Sequence, residues 1–262
     1  MKSVVFTLVA CLLPGIAPLA HASERRFTYT YQSLVLNAGD IELEPWTTFR
    51  HGRSDYYNRF DQRLELEIGL TDRLQMAWYL NFTGLVRDEG EERVGEFTFK
   101  GISSEWKYKL LDPVADFLGL ALYLELGAGP EEVEFEGKVI ADRQLGNWLV
   151  AANLVGELEL ELEKEETEKE VIIELDLGLG YFITSAFFVG AELRNHNEII
   201  EGEFEHSSLF AGPTVSYAAS RWWAALTVLP QVAAIKGSSA GSVLQLDEHE
   251  RVEARVLLGF HL

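Results

Sequence analysis

The stretch Trp148-Leu-Val-Ala-Ala-Asn-Leu-Val-Gly-Glu-Leu-Glu-Leu-Glu-Leu-Glu163 decides the fold. Its even positions are Trp148, Val150, Ala152, Leu154, Gly156, Leu158, Leu160 and Leu162, while the odd positions from 153 are Asn153, Val155, Glu157, Glu159, Glu161 and Glu163. A strand sends successive side chains to opposite faces and keeps these two populations apart, whereas a helix would mix them. The same split recurs elsewhere. Leu64, Leu66, Ile68 and Leu70 alternate with Arg63, Glu65, Glu67 and Gly69, and Val171, Ile173, Leu175, Leu177 and Leu179 with Glu170, Ile172, Glu174, Asp176 and Gly178. The C-terminus repeats it, with Val252, Ala254, Val256, Leu258, Phe260 and Leu262 on one face.

Twelve such segments are expected, starting near residues 40, 58, 74, 96, 118, 131, 147, 170, 186, 205, 221 and 249. Thr71-Asp72-Arg73, Leu145-Gly146-Asn147, Ile183-Thr184-Ser185 and Ala219-Ser220 read as tight turns. Arg87–Gly95, Lys164–Lys169, Asn197–Glu203 and Lys236–Glu248 read as longer polar connections. Short turns on one side and longer loops on the other describe an all-β transmembrane antiparallel up-and-down β-barrel, with both termini on the short-turn side. Near Gly101–Ser103 the apolar phase slips from Phe97/Phe99 to Trp106/Tyr108, which predicts a β-bulge. Trp78, Tyr79, Trp106, Tyr108, Trp148, Tyr181, Trp222 and Trp223 fall near strand ends and are expected to form interface girdles. A soluble sandwich or lipocalin-like barrel also alternates, but a closed core could not hold so many unpaired carboxylates. Turned inside out, apolar faces meet lipid and charged faces line a wet lumen.

Composition agrees with that inversion. The 262 residues carry 42 Asp+Glu against 22 Lys+Arg, a net charge of −20, yet 47% are hydrophobic and 11% aromatic. This is too apolar for a disordered acidic tail and too acidic for a nucleic-acid binder. Lys2, the apolar run Val4–Leu13 and Ala20-His21-Ala22 read as a secretory signal over residues 1–22, cleaved after Ala22. Leu8-Val9-Ala10-Cys11 also fits a bacterial lipobox, which stays as the alternative. Cleavage after Ala22 removes the single cysteine and leaves 240 residues with 21 basic and 42 acidic groups. Residues 23–39 are then expected to be a periplasmic segment and 40–262 the barrel, in the outer membrane of a bacterium. No apolar run reaches the roughly 18 residues of a transmembrane helix after the signal.

The ending Arg255-Val256-Leu257-Leu258-Gly259-Phe260-His261-Leu262 resembles the final strand of Gram-negative outer-membrane barrels, except that it ends in Leu262 with the aromatic two residues earlier. The resemblance implies insertion by the barrel-assembly machinery, with outer-membrane lipids and lipopolysaccharide as surroundings. Ile41-Glu42-Leu43-Glu44-Pro45-Trp46 and Arg63–Gln75 resemble porin-like families, one being the phenol-degradation MetA-pathway outer-membrane family. That resemblance implies a transporter-like protein and names no substrate.

Parity assigns Glu44, Glu65, Glu67, Glu125, Glu157, Glu174, Asp176 and Glu192 to the middle of the lumen, with Arg63, Lys107, Lys138, Arg194, Arg221, Arg251 and Arg255 as basic partners. Such a wall favours cations or small polar solutes, because a narrow low-dielectric passage focuses the potential of charged rings. Alternatively, acids and bases pair across strands and fill a non-conducting barrel whose loops bind a partner. The loops are too short for a folded plug. His51, His196, His206 and His249 fall at expected extracellular strand ends. His206 and His249 are weak rim candidates for a metal, but no ligand spacing such as H-x-H appears, so solvated rim residues are expected and no cofactor is implied. Ser207-Ser208 beside His206 is the only local hydrolase candidate, and no Gly-x-Ser-x-Gly elbow exists, so no enzyme is expected. Gly178-Leu179-Gly180, inside a strand, is expected to ease packing rather than cradle phosphate.

Overall fold

A computed structural model describes residues 24–90, 92–162 and 167–262; the signal read in residues 1–22 and the centre of the Lys164–Lys169 connection lie outside the described residues. Twelve antiparallel strands close into one barrel: β1 (Ile41–His51), β2 (Tyr57–Thr71), β3 (Leu74–Glu89), β4 (Glu92–Leu111), β5 (Gly119–Ala128), β6 (Glu132–Leu145), β7 (Trp148–Leu162), β8 (Thr167–Phe182), β9 (Phe187–Ile200), β10 (Glu203–Ala218), β11 (Trp222–Lys236) and β12 (Val252–His261). Each strand pairs with its sequence neighbours, and β12 returns to β1, where the Leu262 amide donates to the Ile41 carbonyl at 3.0 Å. Closure leaves no unpaired strand edge, which is how backbone polar groups are satisfied without water.

The period-two pattern sorts as physics requires. Leu64, Leu66, Leu122, Leu124, Leu126, Leu154, Leu175 and Leu177 project outward and are exposed, while Glu65, Glu67, Glu125, Glu174 and Asp176 on the same strands are buried inside. At the end where β1 begins and β12 ends, Trp148 packs on Tyr181 at 5.1 Å and Tyr217 on Trp222 at 5.6 Å, a belt of the kind that marks a membrane boundary. Two aromatics expected in that belt are not in it. Tyr79 and Trp223 share the parity of the lumen and are almost fully buried there, Trp223 donating its indole N–H to Glu42 at 2.8 Å.

The bulge sits where the apolar phase slips. The β3–β4 register shifts between Asn81 and Phe82, and Gly101 takes φ +141°. A Cβ there would lie 2.3 Å from the Ala128 carbonyl oxygen, so only glycine fits the close approach of β5. At the opposite end of the barrel, pairing runs farther than the polar connections suggested. β3 and β4 stay paired out to Glu89 and Glu92, and β9 and β10 to Ile200 and Glu203. Only the connection from β11 to β12, residues 237–251, is long.

Candidate functional site: the lumen

The lumen is not an empty tube. Residues 24–36, expected as a periplasmic segment, are threaded through its terminal-end half. Contacts with opposite walls hold the segment there. The amides of Thr28, Tyr29 and Thr30 donate to the Glu192 carboxylate on β9 at 2.9, 2.9 and 2.7 Å. Tyr31 and Asn153 on β7 exchange two hydrogen bonds, of 2.6 and 3.0 Å. The Ser33 amide donates to Asp142 on β6 at 2.8 Å and the Leu36 amide to Gln75 on β3 at 2.9 Å. An extended segment has no ladder of its own, and its buried amides must find acceptors somewhere. Here the wall side chains supply them.

Its aromatic residues alternate with threonines, and each enters a different seat. Phe27 packs with Leu149, Ala151 and Phe188, Tyr29 with Phe210 and Leu229, and Tyr31 with Ala121, Tyr123 and Ile140. Phe27 crosses the Phe188 ring edge-on at 5.2 Å. Gly178 makes that seat possible, since a Cβ there would come within 2.9 Å of the Phe27 ring. The glycine read as easing packing therefore does so for a ligand-like piece of the same chain.

Each side chain assigned to the lumen by parity has a definite neighbourhood. Arg63 pairs with Glu125 and lies over the Tyr79 ring at 4.0 Å. Glu125 also accepts the Tyr123 hydroxyl at 2.6 Å. Glu65 faces the Tyr79 hydroxyl at 2.6 Å, which Glu105 also approaches, and one phenol proton serves only one of them at a time. Both oxygens of Glu44 are buried, clustered with the Glu42 and Glu67 carboxylates. Glu67 and Lys107 are buried beside this group, and Glu157 is half-buried near Glu134 and Glu136. Arg194 joins Glu174 on β8 to Glu253 on β12, and Asp176 lies buried on β8 one inward position along. Arg255 covers the Tyr29 ring at 3.9 Å and donates to Thr48 at 2.8 Å. Arg221 and Arg251 are exposed at strand ends, away from this set.

Glu42, Gln75, Glu105, Asp142, Asn153 and Glu253 complete the wall, and sequence reasoning passed over them although they share the inward parity. Among the described residues, thirteen acids are buried against four Lys and Arg. The field acts on the threaded segment too. Burial alone would lower the Arg25 guanidinium, but the Glu44 and Glu65 carboxylates near it raise it above its ordinary value, so it stays a cation. Burial pushes the Tyr29 and Tyr31 hydroxyls up, keeping both neutral.

The other half of the lumen is covered by the 237–251 connection, which folds inward. Gln231 and Gln245 exchange hydrogen bonds of 2.8 and 2.6 Å, and Arg53 reaches Glu250 at 2.9 Å. Three of the four histidines expected at a solvated rim are instead buried together: His196, His206 and His249. Only His51 is exposed, bonded to Asn58. Ser208 Oγ is buried with no partner and Ser207 donates to Asn197, so no Ser–His pair forms beside His206. A groove of about 710 Å³ lies around the paired Gly137 and Gly156, lined mostly by outward apolar side chains such as Leu122, Leu124, Leu154 and Ile173.

A family model described as a family of unknown function, DUF6662, matches residues 19–262. The chain belongs to that family. No curated protein matches the sequence. Among solved structures, the COG4313 outer membrane channel of Pseudomonas putida F1 superposes with a TM-score of 0.65 at 12% identity, covering 88% of this chain and 98% of that one. The NanC porin gives 0.57 at 10% identity over 84% and 100%. The β domain of the Bordetella autotransporter BrkA gives 0.57 at 14% over 86% and 99%. Channels and an autotransporter β domain share this barrel, so the likeness shows an outer-membrane type of fold and leaves the use of the lumen to the residues.

Proposed function

We propose that the protein is a porin-like channel of the bacterial outer membrane for small cationic or polar solutes, narrowed by its own residues 24–36. The observation that carries the reading is the excess of buried lumen acids over buried Lys and Arg. In a narrow passage of low dielectric that excess lowers the energy of a permeating cation and raises that of an anion. Tight turns and both barrel termini would face the periplasm, and the 237–251 connection the outside. The resemblance of Ile41–Trp46 and Arg63–Gln75 to the MetA-pathway family is compatible with a transporter and names no solute.

A non-conducting barrel is the second reading, favoured by the threaded segment and the inward-folded connection, which together occupy both halves. Planar-bilayer recording of the refolded chain under a salt gradient separates the two. The channel reading expects discrete openings with a reversal potential of the cation-selective sign. Anion selectivity, or a silent membrane even after residues 24–36 are deleted, refutes it.

A further inference from the structure

Three imidazoles from distant parts of the chain converge under the 237–251 connection. His196 comes from β9, His206 from β10 and His249 from the connection itself. The His249 ring stands 4.7 Å from that of His196 and 4.5 Å from that of His206, nearly perpendicular to both. Glu198, one inward position beyond His196, brings an oxygen 2.9 Å from His206 Nε2 and 3.8 Å from His196 Nε2. One ligand atom from each of His196, Glu198 and His249 lies within 4.8 Å of the others. We propose that His196, Glu198 and His249, with His206 as a fourth donor, bind a divalent transition-metal cation.

The donor set selects the class of ion. Imidazole nitrogen with one carboxylate suits Zn²⁺, Cu²⁺ or Ni²⁺, whereas Ca²⁺ and Mg²⁺ prefer oxygen alone. Four ligands around zinc sit about 3.4 Å from one another, from metal–nitrogen bonds of about 2.0–2.1 Å. Drawing the donors of His196, Glu198 and His249 together from a spacing of up to 4.8 Å needs a contraction of up to roughly 1.4 Å, and His249 rides on a connection rather than a strand. The ring orientations fit. His196 Nδ1 faces Glu174 at 2.5 Å, which turns Nε2 toward Glu198, the arrangement in which an outer carboxylate orients a metal-bound imidazole. Arg194 also touches His196, at 3.2 Å, but Glu174 and Glu253 hold its charge. His206 Nε2 is buried and faces only the Glu198 carboxylate, so nitrogen and carboxylate already point at one another across the gap a cation would occupy. His249 Nε2 and His206 Nδ1 lie 3.0 Å apart and need a proton between them, a place where coordination would reorganise the pair.

The site does not depend on conduction, so it is tested in detergent on the refolded full chain. Titration with ZnCl₂ followed by elemental analysis is expected to give one zinc per barrel. His51→Ala should bind as the parent does, His196→Ala and His249→Ala should lose stoichiometric binding, and Glu174→Gln should weaken it about ten- to a hundredfold. Cobalt supplies a readout that misfolded variants cannot mimic, because the parent should show an intense visible band of four-coordinate Co²⁺ that zinc displaces. No stoichiometric zinc in the parent, a band absent from it, or binding that survives His249→Ala in a barrel of unchanged circular dichroism would each overturn the proposal.

Discussion

At the terminal end of the barrel the lumen is filled by residues 24–36, held by backbone amides on side chains of β3, β6, β7 and β9. At the other end it is covered by residues 237–251, held by a Gln231–Gln245 exchange and an Arg53–Glu250 pair. The two closures differ in how they could open. The connection is tied to the wall at both of its ends, through β11 and β12. With cleavage after Ala22, the threaded segment would be tied only through Asp40 to β1. One end of the lumen is thus roofed and the other stoppered, and with that cleavage only the stopper would be free to leave as a unit.

The largest effect is expected at the junction of the halves. Arg194→Ala leaves Glu174 with His196 alone and Glu253 with Arg50 and the Tyr29 hydroxyl, and it removes the link between β8, β9 and β12. Breaking a buried pair this way costs about 3–5 kcal/mol, read as a lower urea midpoint for unfolding from lipid vesicles. If the midpoint holds, the halves are not coupled through this residue. Phe27→Ala comes next. Emptying its seat should weaken docking of the segment by about 3 kcal/mol, the lower end for a buried phenylalanine, while leaving barrel unfolding nearly unchanged. The check is tryptic cleavage after Arg25 and Arg26, both buried in the parent; a variant as resistant as the parent contradicts the seat's role.

Glu192→Ala should act in the same direction and less strongly. It leaves three amides without their acceptor at a cost of about 2 kcal/mol if water reaches some of them, and the same cleavage assay reads it. The smallest effect belongs outside both closures. In the β4–β5 turn the amides of Val114 and Ala115 and the Lys109 ammonium hold Asp112 below the usual carboxylate range. A depressed acid contributes stability that is present above its unfolded pKa of about 3.9 and is lost as pH falls through the folded value. Asp112→Asn should flatten that acid-side loss slightly and leave both closures intact at pH 7.

Strand positions were readable because parity survives every local accident. The twelve expected starts lie within a few residues of those observed, and Glu44, Glu65, Glu125, Glu174 and Glu192 face inward for the reason their neighbours Leu64, Leu66, Leu124 and Leu175 face out. Nearness to a strand end points Tyr79 and Trp223 to the belt, but parity decides their place, and Tyr79 shares the inward face of Gln75 and Ala77. The threaded segment left a fainter trace. Phe27-Thr28-Tyr29-Thr30-Tyr31 alternates like a strand, but the acceptors of its amides are side chains more than a hundred residues away, and no local pattern encodes an amide bound to Glu192. The histidines were hidden for the same reason. His196, His206 and His249 meet only once β9 and β10 are in register and the connection turns inward, and neither event leaves a spacing motif.

The central claim is that residues 24–36 stopper a carboxylate-lined lumen. It is tested most directly by single-channel conductance of the refolded chain and of a variant lacking those residues, in one membrane and one salt gradient. The account predicts several-fold larger openings from the shortened chain, with the cation-selective sign unchanged because the wall acids remain. Equal conductance in the two, or a switch to anion selectivity on deletion, would contradict it.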